Sequence, residues 1–334
     1  MSMPPFVIAE AGVNHNGDVG RAREMVTIAK EAGADCVKFQ AFSPEGLVAA
    51  GAATAAYQAA NTGITDQQDL LRSLTLGPGD FGAIAHHCAD LKIEFLCTAF
   101  DVAFVETLIG FGMRRIKVAS GEMTNTPALR HFAVFGLPIV LSTGMATLDE
   151  VAAAVATLTK AGAQDITLLH CTSLYPAPDA AINLKAMTTM QQHFGLPVGY
   201  SDHSIGDHVS VAAVALGATV IEKHFTLDRS LPGPDHKASV EPRELGDFIA
   251  KLRATASVLG DGIKRPVPAE QDTARLVRRS WHASRPLAAG TVLTAADAVL
   301  KRPATGLAPD FEIVGCKLAC ARAADEPIRA ADLA

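Results

Sequence analysis

A short apolar run followed by a helix-length segment recurs eight times between Phe6 and Leu259, and few folds accommodate that order. The apolar runs are Phe6–Ala9 ending at Glu10, Cys36–Gln40, Ile93–Thr98, Arg115–Ser120, Pro138–Ser142, Ile166–His170, Val198–His203 and Val220–His224. Helices are predicted over residues 20–32, 79–91, 101–111, 127–135, 147–161, 183–193, 207–216 and 242–258, the first stopped by Gly33. Strands with near-continuous apolar character, separated by helices, pair in parallel and are covered on their outer face. Eight such units in roughly 255 residues fit an α/β fold of the (β/α)8 TIM-barrel type better than an open doubly wound sheet. Residues 44–78 alone break the alternation and read as a loop-rich insertion.

Past Leu259-Gly260-Asp261-Gly262 the texture changes. The sequence divides into a barrel domain over 1–260, a polar linker over 261–274 and a small β-rich domain over 275–334. Short strands are predicted in the last at Ser280–Ala283, Leu287–Thr291, Val299–Arg302 and Cys316–Ala319. From Arg275 onward nine Arg and Lys face six Asp and Glu, so this tail carries +3 and the rest −9 of the net −6. The overall acidity argues against nucleic acid as a partner. The longest apolar runs fall far short of the ~20 residues a membrane span needs. The N-terminus lacks a basic region and a long apolar stretch, so a secretory signal is not expected. Six cysteines without a CxxC motif read as reduced thiols of a cytoplasmic protein rather than a zinc site.

In a barrel of this kind chemistry sits at the C-terminal edge of the strands. Polar residues there are Glu10, Lys38 with Gln40, Thr98, Lys117 with Ser120, Ser142, His170 with Ser173 and Tyr175, Ser201 with His203, and His224. Lys38 and Lys117 lie inside apolar runs, where a lysine without a partner would cost several kcal/mol. If they point inward they ask for an anion, and the hydroxyls of Thr98, Ser120, Ser142 and Ser201 could complete its hydrogen bonds. If they point outward they do not. His203 and His224 end two strands of one βαβ unit, adjacent at the same sheet edge. Two such imidazoles can grip a divalent cation, or can be unrelated loop histidines. His86 and His87, on a predicted helix, read as solvent-facing. No GxxxxGK[ST] or GxGxxG is present, so no nucleotide motif supports nucleotide binding.

The stretches Ala9-Glu10-Ala11-Gly12-Val13-Asn14-His15-Asn16-Gly17, Val37-Lys38-Phe39-Gln40, Ser120-Gly121-Glu122, Leu141-Ser142-Thr143-Gly144-Met145, His170-Cys171-Thr172-Ser173, Ser201-Asp202-His203-Ser204 and Glu222-Lys223-His224-Phe225-Thr226 resemble the sialic acid synthase family. Lys301-Arg302-Pro303 resembles its C-terminal antifreeze-like (SAF, β-clip) domain. The resemblance spans nearly the whole chain. It implies condensation of phosphoenolpyruvate with an open-chain N-acylated mannosamine-type aldose, giving a nine-carbon 2-keto acid and phosphate. It further implies that His203 and His224 bind Mn2+, or Mg2+ or Co2+ in its place, and that Lys38, Thr98, Lys117, Ser120, Ser142, Ser173 and Ser201 surround phosphoenolpyruvate. Glu10, Gln40, Tyr175 and Asp235 would face the sugar. Arg302 would reach it from the partner chain of a domain-swapped homodimer. Several neuraminate-forming members carry Asn at the position of Ser173, which shortens one side chain here and removes an amide donor.

The chemistry agrees with the residues. Phosphoenolpyruvate carries close to three negative charges, which two lysines and a set of hydroxyls can offset. A cation on two histidines can polarise the aldehyde, and Glu10 is a candidate for handling protons. The expected product is N-acetylneuraminate, with a legionaminate-type product from a 2,4-diacetamido-6-deoxy sugar as the alternative. Pro232-Gly233-Pro234-Asp235-His236 looks more like those branches than the pseudaminate one. A condensation on short phosphorylated sugars would call for a cysteine and carboxylates at the metal. A non-catalytic glycan-binding barrel would leave the intact lysines, histidines and Glu10 unexplained.

Overall fold

The computed structural model describes residues 3–334. Its first unit runs to Asp261 and its second from Gly262 to Ala334. The first begins with β1 (Phe6–Gly12), α1 (Val19–Glu31) and β2 (Cys36–Ala41). Residues 44–78, expected to be loop-rich, instead carry three short helices, α2 (Pro44–Leu47), α3 (Ala56–Thr62) and α4 (Gln67–Leu74). Then come α5 (Pro78–Leu91), β3 (Glu94–Ala99), α6 (Phe104–Gly110), β4 (Ile116–Val118), α7 (Thr126–Ala133), β5 (Ile139–Ser142) and α8 (Leu148–Lys160). The series closes with β6 (Ile166–Cys171), α9 (Lys185–Phe194), β7 (Val198–Asp202), α10 (His208–Ala215), β8 (Val220–His224) and α11 (Pro242–Leu259).

The eight strands form a closed parallel barrel in chain order, with β1 pairing both β2 and β8. This is the expected TIM barrel, and its core joins both faces of the strands to the helices around them. Local signals set the helix starts. Asp18 accepts from the backbone N–H of Gly20 and Arg21 to cap α1. Thr147 and Glu150 form a reciprocal capping box at α8. In the insertion, Leu70 and Leu74 of α4 pack with Val13 and Phe42 into a small core of their own. Helix α3, by contrast, buries no residue fully, which is why the insertion shows little apolar periodicity.

The fourth strand is shorter than read from the sequence, and Ser120 falls in a 3-10 turn after it. One close approach shapes the final βαβ unit. A Cβ at Gly199 would overlap the Val220 carbonyl, so only glycine lets β7 and β8 lie as near as they do.

The second unit begins with the connector, in which residues 270–277 form a helix, α12 (Glu270–Val277), rather than open linker. A two-stranded antiparallel sheet follows, made of β9 (Ser280–Ala283) and β10 (Ala298–Lys301). Leu287, Val292 and Leu318 pair only in isolated bridges, with Arg322, Lys317 and Leu333, so the strands expected at 287–291 and 316–319 are not continuous ladders. The unit has its own core, including Ala283, Leu287, Leu293, Ile313, Leu318 and Ile328. Among the described residues no helix is long and apolar enough to cross a membrane.

Candidate active site

A cavity of about 220 Å³ opens at the C-terminal end of the barrel strands. It is lined by Glu10, Lys38, Gln40, Thr98, Lys117, Ser120, Ser142, Ser173, Tyr175, Ser201, His203 and His224, so twelve of the sequence-predicted residues converge there. Asp235 lies beside it, its carboxylate 3.9 Å from His224 Nδ1. Arg302 belongs to the second unit, where it is exposed next to the end of β10. His170 turns away, its Nε2 2.7 Å from the Ile182 carbonyl, and lines a neighbouring cavity of about 620 Å³. That larger cavity holds none of the buried charges. Of the helix histidines, His86 is exposed and His87 reaches the Thr27 hydroxyl.

Both lysines point inward and both are buried. They are not partnerless, as the sequence suggested. Lys38 Nζ lies 2.9 Å from Glu10, 3.6 Å from Glu222 and 3.1 Å from the Thr98 hydroxyl. Lys117 Nζ donates to Ser142 Oγ at 2.7 Å and lies 3.8 Å from Glu222. Glu222 thus sits between the two ammonium groups. Sequence reading passed over it as part of a motif, although its i, i+2 spacing from His224 places both on the interior face of β8. Ser201 donates to Glu222 at 2.8 Å, so in the free protein its hydroxyl braces that carboxylate rather than standing free.

These charges set one another. Burial alone would raise the Glu222 carboxyl, but Lys117 and Lys38 outweigh it and hold the group down at about 2. Glu10 goes the other way. Burial lifts it to about 7, the attraction of Lys38 only partly opposing and the charge of Glu222 adding to the rise. Burial also lowers Lys117, which the attraction of Glu222 only partly offsets, whereas Glu10 and Glu222 keep Lys38 above the ordinary lysine range. Burial thus pushes Glu10 toward its neutral form, while Lys117 and Lys38 keep Glu222 ionised between them.

The histidines form the opposite wall, ring centroids 5.6 Å apart. Burial lowers both below the usual histidine range, His224 further because His203 and Lys38 add to the effect. Both rings are therefore neutral at pH 7. His203 Nδ1 lies 2.7 Å from the Thr172 carbonyl and so carries the proton, leaving Nε2 as a lone pair 3.1 Å from the Tyr175 hydroxyl. His224 Nδ1 is buried without a hydrogen-bond partner. A ring nitrogen with its lone pair toward the Tyr175 hydroxyl and an orphaned one, on neighbouring strands, suit a divalent cation. Among the described residues no three His, Cys, Asp or Glu cluster around a common point, so such an ion would keep open positions.

The insertion supplies a residue that the sequence did not flag. Tyr57 of α3 stacks on Tyr175 at 5.4 Å between ring centroids, and Tyr175 lies in turn on His203 at 4.2 Å. Asn61 of the same helix donates to the Pro234 carbonyl at 2.9 Å. Helix α3 thus backs the Tyr175 wall of the cavity. On the other side Gly144 is squeezed among Ser120, Cys171 and Ser173, and its N–H donates to the Ser120 hydroxyl. A deep subsite with two buried lysines, two neutral imidazoles and an aromatic wall can hold a compact polyanion against an oxygen-rich neutral molecule.

Comparison with known proteins shows the family. The model of the NeuB family matches residues 25–264, and that of the SAF domain matches residues 278–334. The chain is 46% identical over 324 residues to the N,N'-diacetyllegionaminic acid synthase of Legionella pneumophila, covering 95% of this chain and 91% of that one. It is 45% identical to the Campylobacter jejuni protein of the same name, covering 90% and 91%. Among solved structures, the N-acetylneuraminic acid (sialic acid) synthetase of Leptospira borgpetersenii, in complex with citrate, is similar with a TM-score of 0.73 and 34% identity, over 81% of this chain and 90% of that one.

Proposed function

Because this chain belongs to the NeuB family and carries its SAF domain, we propose that it is a nonulosonic acid synthase of the legionaminate type, condensing phosphoenolpyruvate with a 2,4-diacetamido-6-deoxy aldose and releasing phosphate. The two buried lysines, Lys38 and Lys117, lining one cavity with the paired histidines His203 and His224, are the observation that carries the reaction class. The branch rests on similarity, 46% to a diacetyllegionaminate synthase against 34% to a sialic acid synthetase, and reverses the order of the two sugars expected from sequence.

In this reading Lys38 and Lys117, with the hydroxyls of Thr98, Ser120 and Ser142, hold phosphoenolpyruvate and fix its C3 toward the sugar aldehyde. His203 and His224 hold a divalent cation, Mn2+ before Mg2+ or Co2+, which when bound polarises the aldehyde oxygen. Gln40, Tyr175 and Asp235 orient the open-chain sugar, with Tyr57 backing Tyr175. The C3–C1 bond forms as the double bond of phosphoenolpyruvate opens. Water then adds at C2, and the tetrahedral centre expels phosphate to leave the keto group. Glu10 gives a proton to the aldehyde oxygen and regains one from the adding water, ending in the state in which it began, and the remaining proton of that water leaves with the phosphate.

The test supplies metal-stripped enzyme with Mn2+, phosphoenolpyruvate and either the diacetamido-6-deoxy sugar or N-acetylmannosamine, and measures phosphate release. A kcat/KM at least about tenfold higher for the diacetamido sugar is expected, with no turnover before Mn2+ is added. A preference for N-acetylmannosamine moves the chain to the neuraminate branch. Phosphate release from neither sugar removes the synthase reading.

The proton role has its own signature. Glu10 must start protonated, and burial sets its carboxyl at about 7, so kcat/KM is expected to fall as pH rises through about 7. In Glu10→Gln that descending limb should vanish and leave a lower, flat rate. A limb that survives the substitution belongs to another group.

A further inference from the structure

Behind the two histidines lies a second charged pair that does not reach the cavity. Asp202 and Lys223 are partners in the β7–β8 ladder, and each directly precedes one histidine. Side chains alternate along a strand, so Lys223 points away from the interior that Glu222 and His224 face. It lies in the layer beneath α10, where Ser210 is buried. The side chains of Asp202 and Lys223 are 0% and 1% exposed.

Their bonds converge on the chain just after β7. Asp202 Oδ2 accepts from Lys223 Nζ at 3.1 Å and from Ser210 Oγ at 2.6 Å. Its Oδ1 accepts from the Ser204 backbone N–H at 2.8 Å and from the Ser204 hydroxyl at 2.6 Å. Lys223 Nζ also donates to the Ser204 carbonyl at 2.5 Å. The peptide groups on both sides of Ser204 are thus held by one ion pair, and His203 sits between Asp202 and Ser204 in the chain. The carbonyl of His203, in the same peptide group as the Ser204 N–H, accepts from Ala177 N–H at 2.9 Å. A buried ion pair contributes little net stability compared with apolar side chains of the same volume. What this one supplies is a fixed geometry between two strand ends.

We propose that Asp202 and Lys223 act as positioning residues, a clamp that sets His203 against His224 so that a divalent cation meets a preformed pair of imidazoles. The inference rests on the reading of those histidines as cation ligands. It assigns to Asp202, Lys223 and Ser210 a part in metal affinity although none of them touches the cavity. Lys38 and Lys117 hang on other strands and meet the clamp strands only through Glu222, so the anion subsite should feel the clamp far less than the cation does.

The experiment titrates metal-stripped full-length protein with Mn2+, following the free ion by electron paramagnetic resonance, and measures phosphoenolpyruvate affinity in the same metal-free samples by calorimetry. The variants are Asp202→Asn with Lys223→Met, which removes both charges together, and Ser210→Ala, which removes one brace and leaves the pair in place. His203→Ala with His224→Ala reports the histidines themselves. The double clamp variant is expected to weaken Mn2+ roughly 10- to 100-fold, as loss of groups that orient metal ligands does. Ser210→Ala should weaken it by a few-fold, and phosphoenolpyruvate affinity should stay within about twofold in both. Unchanged Mn2+ affinity in both variants overturns the clamp, and so does phosphoenolpyruvate affinity falling in step with Mn2+, which marks general loosening. If the double variant does not fold, weakened Mn2+ in Ser210→Ala still supports the clamp, and unchanged Mn2+ there reduces the pair to a folding element. Wild-type protein that takes up no Mn2+, or takes it up equally without the histidines, sinks the cation reading itself and the clamp with it.

Discussion

Lys117→Met is expected to raise the KM for phosphoenolpyruvate by about two orders of magnitude, to leave the KM for the sugar within about threefold, and to keep or raise the thermal stability of the free protein. Removing one partner of a buried charge-assisted contact costs about 2–5 kcal/mol of binding, and a hundredfold is about 2.7 kcal/mol. The stability half follows from the free cavity. Lys117 is the less compensated of the two lysines, 3.8 Å from Glu222 where Lys38 is 2.9 Å from Glu10, and burial and Lys38 both disfavour its charge. Methionine removes that repulsion, while Glu222 keeps Lys38 at 3.6 Å and the Ser201 hydroxyl at 2.8 Å. Phosphoenolpyruvate at a hundred times its Kd should stabilise the wild type by about 2.7 kcal/mol and the variant scarcely at all. Steady-state kinetics and thermal melts with and without the anion check both halves. Equal rises in both KM values would mean that Lys117 shapes the whole cavity rather than the anion subsite.

Mixing two inactive proteins, Lys117→Ala and Arg302→Ala, under conditions that let chains re-pair is expected to restore about a quarter of wild-type phosphate release. The expectation belongs to the proposal that the protein is a two-fold homodimer in which the small unit of one chain completes the site of the other. Arg302 is exposed on that unit, and the unit closes only a small core of its own. Random re-pairing makes half of the dimers mixed. In each of those, one barrel retains Lys117 and receives Arg302 from its partner, which gives the quarter. Activity at background after verified exchange means that Arg302 works on its own barrel. Full activity of Arg302→Ala alone means that it has no part in the site.

The barrel was legible because its signal is local and repeated. Apolar strands, helix lengths and stops at Gly33 and similar points each follow from short-range chemistry. Residues 44–78 were not legible, because α3 and α4 owe their stability to contacts from distant segments, such as Leu70 and Leu74 against Val13 and Phe42. Tyr57 was missed for the same reason, since nothing near it in sequence marks it as the neighbour of Tyr175.

The sequence by itself determined which side chains crowd the C-terminal edge of the strands, since strand order and the period of two place Glu10, Lys38, Lys117, His203 and His224 there without further help. It also placed two lysines inside apolar runs, where they demand an opposite charge if they point inward. Only the tertiary structure decided what that charge was. Closing the barrel brings Glu222 of the last strand between Lys38 and Lys117 of the second and fourth, and Glu10 against Lys38. The low dielectric of the closed interior then drives the two carboxyls apart, one to about 2 and the other to about 7. Spacing along a chain cannot show that division, because it arises from distances between strands that meet only when the barrel is complete.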